Sequence, residues 1–125
     1  SKFTAAGNEI VVTETPFCTL GLSTCYDLRF PELYCEMVYE KGANVLLVPS
    51  AFTVPTGRAH WEILLRARAI EMQCYVIAAA QVGSHSEKRQ SYGHAMIISP
   101  WGEVLANCED DENDGLGLIK TATID

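Results

Sequence analysis

Basic residues are scarce and dispersed in this sequence. Nine Lys and Arg stand against sixteen Asp and Glu, a net charge of -7 over 125 residues. Phosphate backbones are held by clustered Lys and Arg, so nucleic acid is excluded as a partner. Long apolar runs are also missing. None approaches the ~20 residues of a membrane-crossing helix, which argues against a membrane role. The five cysteines, at 18, 25, 35, 74 and 108, are odd in number and include no CxxC pair, so no disulfide framework is expected. Cys18 and Cys25 would stand more than about 20 Å apart along an extended strand at ~3.3 Å per residue. Histidine and cysteine lack metal-ligand spacing, and neither a metal nor a cofactor is expected. Reduced thiols fit a cytoplasmic compartment. The opening "SKFTAAGNEI" has no Met and reads as the interior of a longer protein, which also leaves a mitochondrial location open.

What the chain does contain is apolar. Hydrophobic residues make up 48% and charged residues 20%, with a mean hydropathy of +0.07, the balance of one globular domain with segments buried on both sides or a face meant to be covered. "IVVTET", 10–15, alternates as a strand, and "LGLSTC", 20–25, is a second strand ending at Cys25. Pro31 opens a helix over "PELYCEMVYEKG" that closes on Gly42, with Leu33, Met37 and Val38 inward. "ANVLLVPSAF" is a buried parallel strand. "RAHWEILLRARAIEMQ" is a long helix with Trp61, Leu64, Leu65 and Ala69 on one stripe and Glu62 set to pair with Arg66. "CYVIAAA" is a third parallel strand, "QVGSHSEKRQSYG" a polar loop, and "HAMIIS", "PWG" and "EVLANCE" an antiparallel pair. "EDDENDG" reads as a solvated loop and "LGLIKTATID" as a final strand. The expected fold class is α/β: a parallel β-α-β-α-β core with right-handed crossovers, both helices on one sheet face and the other face bare.

Cys25 is the candidate for chemistry. A nucleophile at the end of a strand, on a sharp turn into a helix, sits near backbone N–H groups that stabilise an oxyanion. A free cysteine also packs as a small hydrophobe, and its position alone leaves both readings open. Cys35, Cys74 and Cys108 read as packing residues. His60, His85 and His94 are candidate bases without a fixed sequence relation to Cys25, and a structural role serves each equally well. Arg29 and Glu32 suit a local ion pair that fixes the turn, with Asp27 as its cap.

"CYDLRFPEL" resembles the nucleophile motif of the carbon–nitrogen hydrolase (nitrilase) superfamily. "HWEILLRARAIEMQCYVIAAAQ" and "KRQSYGHAMIISPWGEV" resemble its Nit branch, over nearly the whole of residues 1–125. "SAF", "RQSYGH" and "QCY" resemble most the deaminated-glutathione amidase group of that branch, including the Nit domains fused to Fhit. The omega-amidases resemble it less between Ser84 and Gly93. The resemblance implies the C-terminal half of a nitrilase-type four-layer α-β-β-α sandwich, whose bare sheet face meets a second sheet. It implies Cys25 as the nucleophile that forms a thioester and releases ammonia, with the backbone N–H of Tyr26 as oxyanion donor. It places Ser50 and Phe52 against a small carboxylate-bearing amide, although Phe52 also suits core packing. The family's general-base glutamate and its lysine lie upstream of the nucleophile. Lys2, Glu9 and Glu14, the candidates before Cys25, stand in neither motif, so both groups are expected to be absent and the chain inactive alone. A homo-oligomer is implied for the full-length protein. Cys18, Thr19 and Thr24 depart from the expected pattern around the hairpin and before the nucleophile.

Two other classes compete. One is a catalytically dead interaction module on the same fold, distinguished by whether the upstream glutamate and lysine exist. The other, a nucleotide-binding domain, needs a glycine-rich turn after the first parallel strand, and "LGLSTCYD" has a single glycine there.

Overall fold

The computed structural model describes residues 4–108 and 119–125. Among the described residues one sheet has the strand order β1 (Val11–Glu14), β2 (Thr19–Leu22), β3 (Val45–Leu47), β4 (Tyr75–Ala78), β7 (Ala95–Ile98) and β8 (Val104–Cys108), and β5 (Val82–Ser86) pairs with β6 (Arg89–Tyr92) in a separate hairpin. β1 and β2 are antiparallel. β2, β3 and β4 run parallel, and β7 and β8 close the sheet antiparallel. The β-α-β-α-β core is therefore present, but the strand carrying Leu20 ends at Leu22, three residues short of Cys25. A 3-10 turn over Cys25–Arg29 leads into α1 (Pro31–Cys35), which continues as a wider π-helical turn over Glu36–Glu40. Gly42 at φ +75° reverses the chain, a conformation that a side chain would oppose.

The second crossover begins earlier than its periodicity suggests. A short turn α2 (Val54–Thr56) and a π turn over Gly57–Trp61 precede α3 (Glu62–Met72), which ends at Gln73 in the left-handed region. Both helical segments pack on one face. Tyr34, Met37, Trp61, Leu65 and Ala69 meet Leu46, Val48, Val76, Ala78, Met96 and Ile98 in one buried cluster. Gly21 on β2 makes this approach possible: a Cβ there would lie 3.0 Å from both the Met37 sulfur and Leu46 Cδ2. The stripe holds Trp61, Leu65 and Ala69 as expected, whereas Tyr34, absent from the expected set, is fully buried and Leu33, Val38 and Leu64 are only half-buried.

Three other expectations are corrected. The segment expected to be a polar loop forms an exposed hairpin of β5 (Val82–Ser86) and β6 (Arg89–Tyr92), held by backbone pairing with a bulge at Ser84 to Ser86. Glu62 and Arg66 do not pair; Arg66 Nε donates to Gly102 O at 2.8 Å, because a turn carbonyl lies within its reach. Residues 119–125 form no strand, and 109–118 lie outside the described residues, as does the expected acidic loop. On the helix-free face Leu22, Leu47, Ile77 and Ile97 share one row. Ile119 and Lys120 border a cleft of about 230 Å³ there with Ile77, Ile97 and Ala106, and Asp125 N–H reaches Tyr75 Oη at 3.4 Å.

Two buried acids make this core sensitive to alkali. Burial pushes the Tyr34 phenol from 10.0 to about 12, opposed by its hydrogen bond to Ser23, and the Cys74 thiol from 9.0 to about 11. Both raised values favour the neutral form in the folded state. Their stabilisation is complete below the unfolded values and is lost as pH rises through the folded ones, from about 9 to about 12. Each contributes at most about 3 kcal/mol. Urea midpoints are expected to fall across this range, and Cys74→Ala to flatten its lower part. An unchanged midpoint from neutrality to pH 11 would contradict the assignment.

Candidate active site

Cys25 sits where the chain leaves β2 and turns sharply, at the carboxyl end of the parallel strands. Its φ is +50°, a left-handed conformation that costs a non-glycine residue roughly 1–2 kcal/mol. The surroundings hold it there. Cys25 N–H donates to Pro49 O at 2.8 Å and Ser23 N–H to Leu47 O at 3.1 Å, continuing the β2–β3 contact past the strand end. Thr24 is extended, its N–H bound to Asp27 Oδ2 at 2.9 Å, while Asp27 N–H returns to Thr24 O at 3.0 Å. The Tyr26 N–H precedes that first turn bond, in the position where helical starts leave N–H groups without an internal acceptor. The Cys25 side chain is half-buried.

Three other segments converge on this turn. β3 is followed by the loop at Ser50 and Phe52, where Ser50 bridges Ala80 and Tyr92 N–H donates to Phe52 O at 2.8 Å. Phe52 is 8% exposed and packs at 4.8 Å against the Trp61 ring, which anchors it in the core. The Ser50 hydroxyl oxygen is buried with no hydrogen-bond partner among the described residues. Such a group costs about 1–3 kcal/mol unless something else satisfies it. The Arg29 guanidinium spans the site, 5.4 Å from the Phe52 ring, 5.8 Å from the Tyr26 ring and 3.1 Å from His60 Nδ1. The expected Arg29–Glu32 ion pair is absent among the described residues, since Pro31 starts a new helix between them and Arg29 turns to His60 instead; Glu32 is exposed.

The histidines separate by environment. His60 is exposed beside Arg29. His85 Nε2 lies 2.8 Å from Ser91 Oγ in the hairpin. His94 stacks on Tyr92 at 4.0 Å, with Nδ1 on the Tyr92 carbonyl, and its own carbonyl accepts from Trp61 Nε1 at 2.8 Å. No group of three His, Cys, Asp or Glu suited to a metal occurs among the described residues, and Cys18, Cys25, Cys35 and Cys74 form no disulfide. Sequence reasoning missed Arg68, which is buried and bound to the Leu28 carbonyl at the end of the Cys25 turn. A signal was present: Arg68 falls three residues after Leu65, on the core stripe.

The carbon–nitrogen hydrolase family profile matches residues 1–125. Deaminated glutathione amidase of Dictyostelium discoideum is 60% identical over 114 residues, which are 91% of this chain and 39% of that protein. The NitFhit fusion protein of Caenorhabditis elegans is 59% identical over 111 residues, 88% of this chain and 25% of the fusion. The crystal structure of C. elegans NitFhit superposes with a TM-score of 0.82 at 59% identity, covering 87% of this chain and 26% of the other. A variant of the amidase from Nesterenkonia sp. AN1, showing the result of Michael addition of acrylamide at its active-site cysteine, gives a TM-score of 0.72 at 28% identity. That match covers 86% of this chain and 41% of the other. The chain thus spans well under half the length of these relatives.

Proposed function

The chain belongs to the carbon–nitrogen hydrolase family, and from that premise we propose that it is the nucleophile-bearing part of an amidase for small carboxylate-bearing amides of the deaminated-glutathione kind. The observation that carries this reading is Cys25, held at φ +50° on the turn beyond a parallel strand. A strained, over-determined residue in that position marks a group kept for chemistry rather than packing. The proposed nucleophile is therefore the Cys25 sulfur. It attacks the amide carbonyl, the Tyr26 N–H stabilises the oxyanion, and the C–N bond breaks as a proton passes to the leaving nitrogen. Ammonia departs and leaves a thioester, which water hydrolyses to the carboxylic acid and the free thiol. Ser50, whose buried hydroxyl has no hydrogen-bond partner among the described residues, is the proposed polar contact for substrate, and Phe52, anchored against Trp61, is proposed as a fixed apolar wall beside it. The proton transfers fall to the family's glutamate and lysine, supplied from sequence before this segment, in a reducing, cytoplasm-like compartment.

The test is reconstitution. Neither the 125-residue chain nor a separately produced upstream segment with the glutamate and lysine is expected to release ammonia from a deaminated-glutathione amide, whereas a mixture of the two is. Turnover by the chain alone would refute the division of labour. A mixture in which both partners fold and associate yet release no ammonia would refute the amidase reading for this substrate class.

A further inference from the structure

We propose that Arg68 is a positioning residue for this chemistry, clamping the turn that carries Cys25 from the side of α3; the inference rests on Cys25 being the nucleophile. Arg68 is 5% exposed. Its Nε and Nη2 both donate to Leu28 O, at 3.1 and 2.8 Å, and its Nη1 donates to Glu71 Oε1 at 3.0 Å. The same guanidinium lies 5.7 Å over the ring of Tyr34. The Tyr34 hydroxyl donates to Ser23 Oγ at 2.9 Å, and Ser23 Oγ donates to Leu47 O at 2.9 Å. The network therefore grips the chain on both sides of the nucleophile: Ser23 two residues before it and Leu28 three residues after.

The arrangement is specific to a planar fork. Two N–H groups on one carbonyl oxygen, with a third nitrogen on a carboxylate, suit a guanidinium and not the single ammonium of lysine. Burying such a charge brings little net stability, since an apolar side chain of similar volume on the same stripe commonly serves the fold as well. Its consequence is geometric. Phe30 N–H closes the 3-10 turn on Asp27 O at 2.9 Å, and the Leu28 carbonyl in that last turn is left to Arg68, where helical ends leave acceptors without internal donors. Fixing it fixes the direction of the turn, and so the relation of the Cys25 sulfur to the Tyr26 N–H. Without the fork, Cys25 is free to relax from its left-handed conformation, and its sulfur leaves the position that the turn gives it.

Alkylation by iodoacetamide tests this in the 125-residue chain, with Cys18 on the distant β1–β2 hairpin as an internal reference read by peptide mass spectrometry. Rates are taken from neutral to alkaline pH in wild type, Arg68→Lys and Arg68→Ala, with folding checked by circular dichroism. The ionisable groups around the turn, Asp27, Arg29, His60 and Tyr34, are the same in all three. Wild-type Cys25 is expected to outpace Cys18. Arg68→Lys should slow Cys25 about tenfold across the pH range without affecting Cys18, in line with the cost of a small displacement at a reacting atom. Millimolar methylguanidinium should restore part of the rate in Arg68→Ala and none in wild type, a result that a purely structural arginine would not produce. Folded Arg68→Lys protein with a wild-type Cys25 profile overturns the proposal. If neither arginine variant folds, Glu71→Gln decides, because that carboxylate is half-exposed and outside the apolar core. It should slow Cys25 by about two- to threefold through the loosened fork, and an unchanged rate overturns the clamp. A wild-type Cys25 no faster than Cys18 overturns the clamp, because the turn then confers no reactivity to protect, whereas the nucleophile reading is decided separately by ammonia release from Cys25→Ala in the reconstituted mixture.

Discussion

Cys25→Ala in the reconstituted amidase is expected to lower kcat by at least about 10⁴-fold, to background, because no other group can form the thioester. Cys25→Ser should be almost as inactive, since its hydroxyl is a far weaker nucleophile without a base built for it. The other cysteines supply the contrast. Cys18→Ala and Cys108→Ala should leave turnover within about twofold, as expected of sites away from the reacting atoms. Retained ammonia release by Cys25→Ala would end the thioester mechanism. The strain at this position predicts a second, opposite effect. Glycine adopts a φ of +50° without steric cost, so Cys25→Gly should be inactive yet about 1 kcal/mol more stable than Cys25→Ala. Equal urea midpoints for the two variants would show that the left-handed turn carries no strain. Together these variants separate what Cys25 does for chemistry from what its backbone costs the fold.

Trp61→Ala is expected to cost about 3–5 kcal/mol, the range for truncating a fully buried aromatic. Small domains commonly have 5–15 kcal/mol in all, so this one truncation should remove a large share of the total. The ring is 1% exposed and touches Phe52 at 4.8 Å. Its Nε1–H donates to His94 O at 2.8 Å, which joins the long helix to the start of β7. Trp61→Phe keeps most of the apolar contact and leaves that carbonyl without a donor. It should therefore cost less, about 1–3 kcal/mol. Urea denaturation followed by circular dichroism gives both values, and a loss below about 1 kcal/mol for Trp61→Ala would mean that the α3–sheet interface does not depend on this side chain. Because Trp61 also backs Phe52, Trp61→Phe is expected to disturb Phe52 before Cys25. Cys25 alkylation should change little in that variant.

Local pattern carried much of the architecture. The apolar runs at 20–22, 45–48 and 75–78 are the parallel strands, with Leu46, Val48, Val76 and Ala78 buried beneath the helices and Leu22, Leu47 and Ile77 on the helix-free face. Gly42 after a helical stretch ended it, and the stripe of Trp61, Leu65 and Ala69 faced the core. Cys25 was legible as a turn residue because the period of the chain changes around it. The β5–β6 hairpin was not legible. Its residues 82–90 are all exposed, so no burial imposed an alternation, and backbone pairing alone makes it a ladder. The charge pairs were misread for a related reason. Spacing proposed Glu62 with Arg66 and Arg29 with Glu32, but each arginine found a partner distant in sequence, Gly102 O and His60. Exposed pairs at helical spacing are worth only a few tenths of a kcal/mol, so a nearby carbonyl or ring outcompetes them.

Sequence alone determined the α/β class and the family, and singled out Cys25 as the proposed nucleophile, because periodicity, strand-to-helix turns and a motif are written in consecutive residues. Only the tertiary structure decided which side chains surround the turn that carries that cysteine. Packing against the sheet anchored Phe52 on Trp61, turned Arg29 toward His60 and carried Arg68 to the Leu28 carbonyl, 40 residues away. Side-chain partnerships of that kind follow from how helices dock on a sheet, and docking depends on the shape of the whole core rather than on any local stretch of chain.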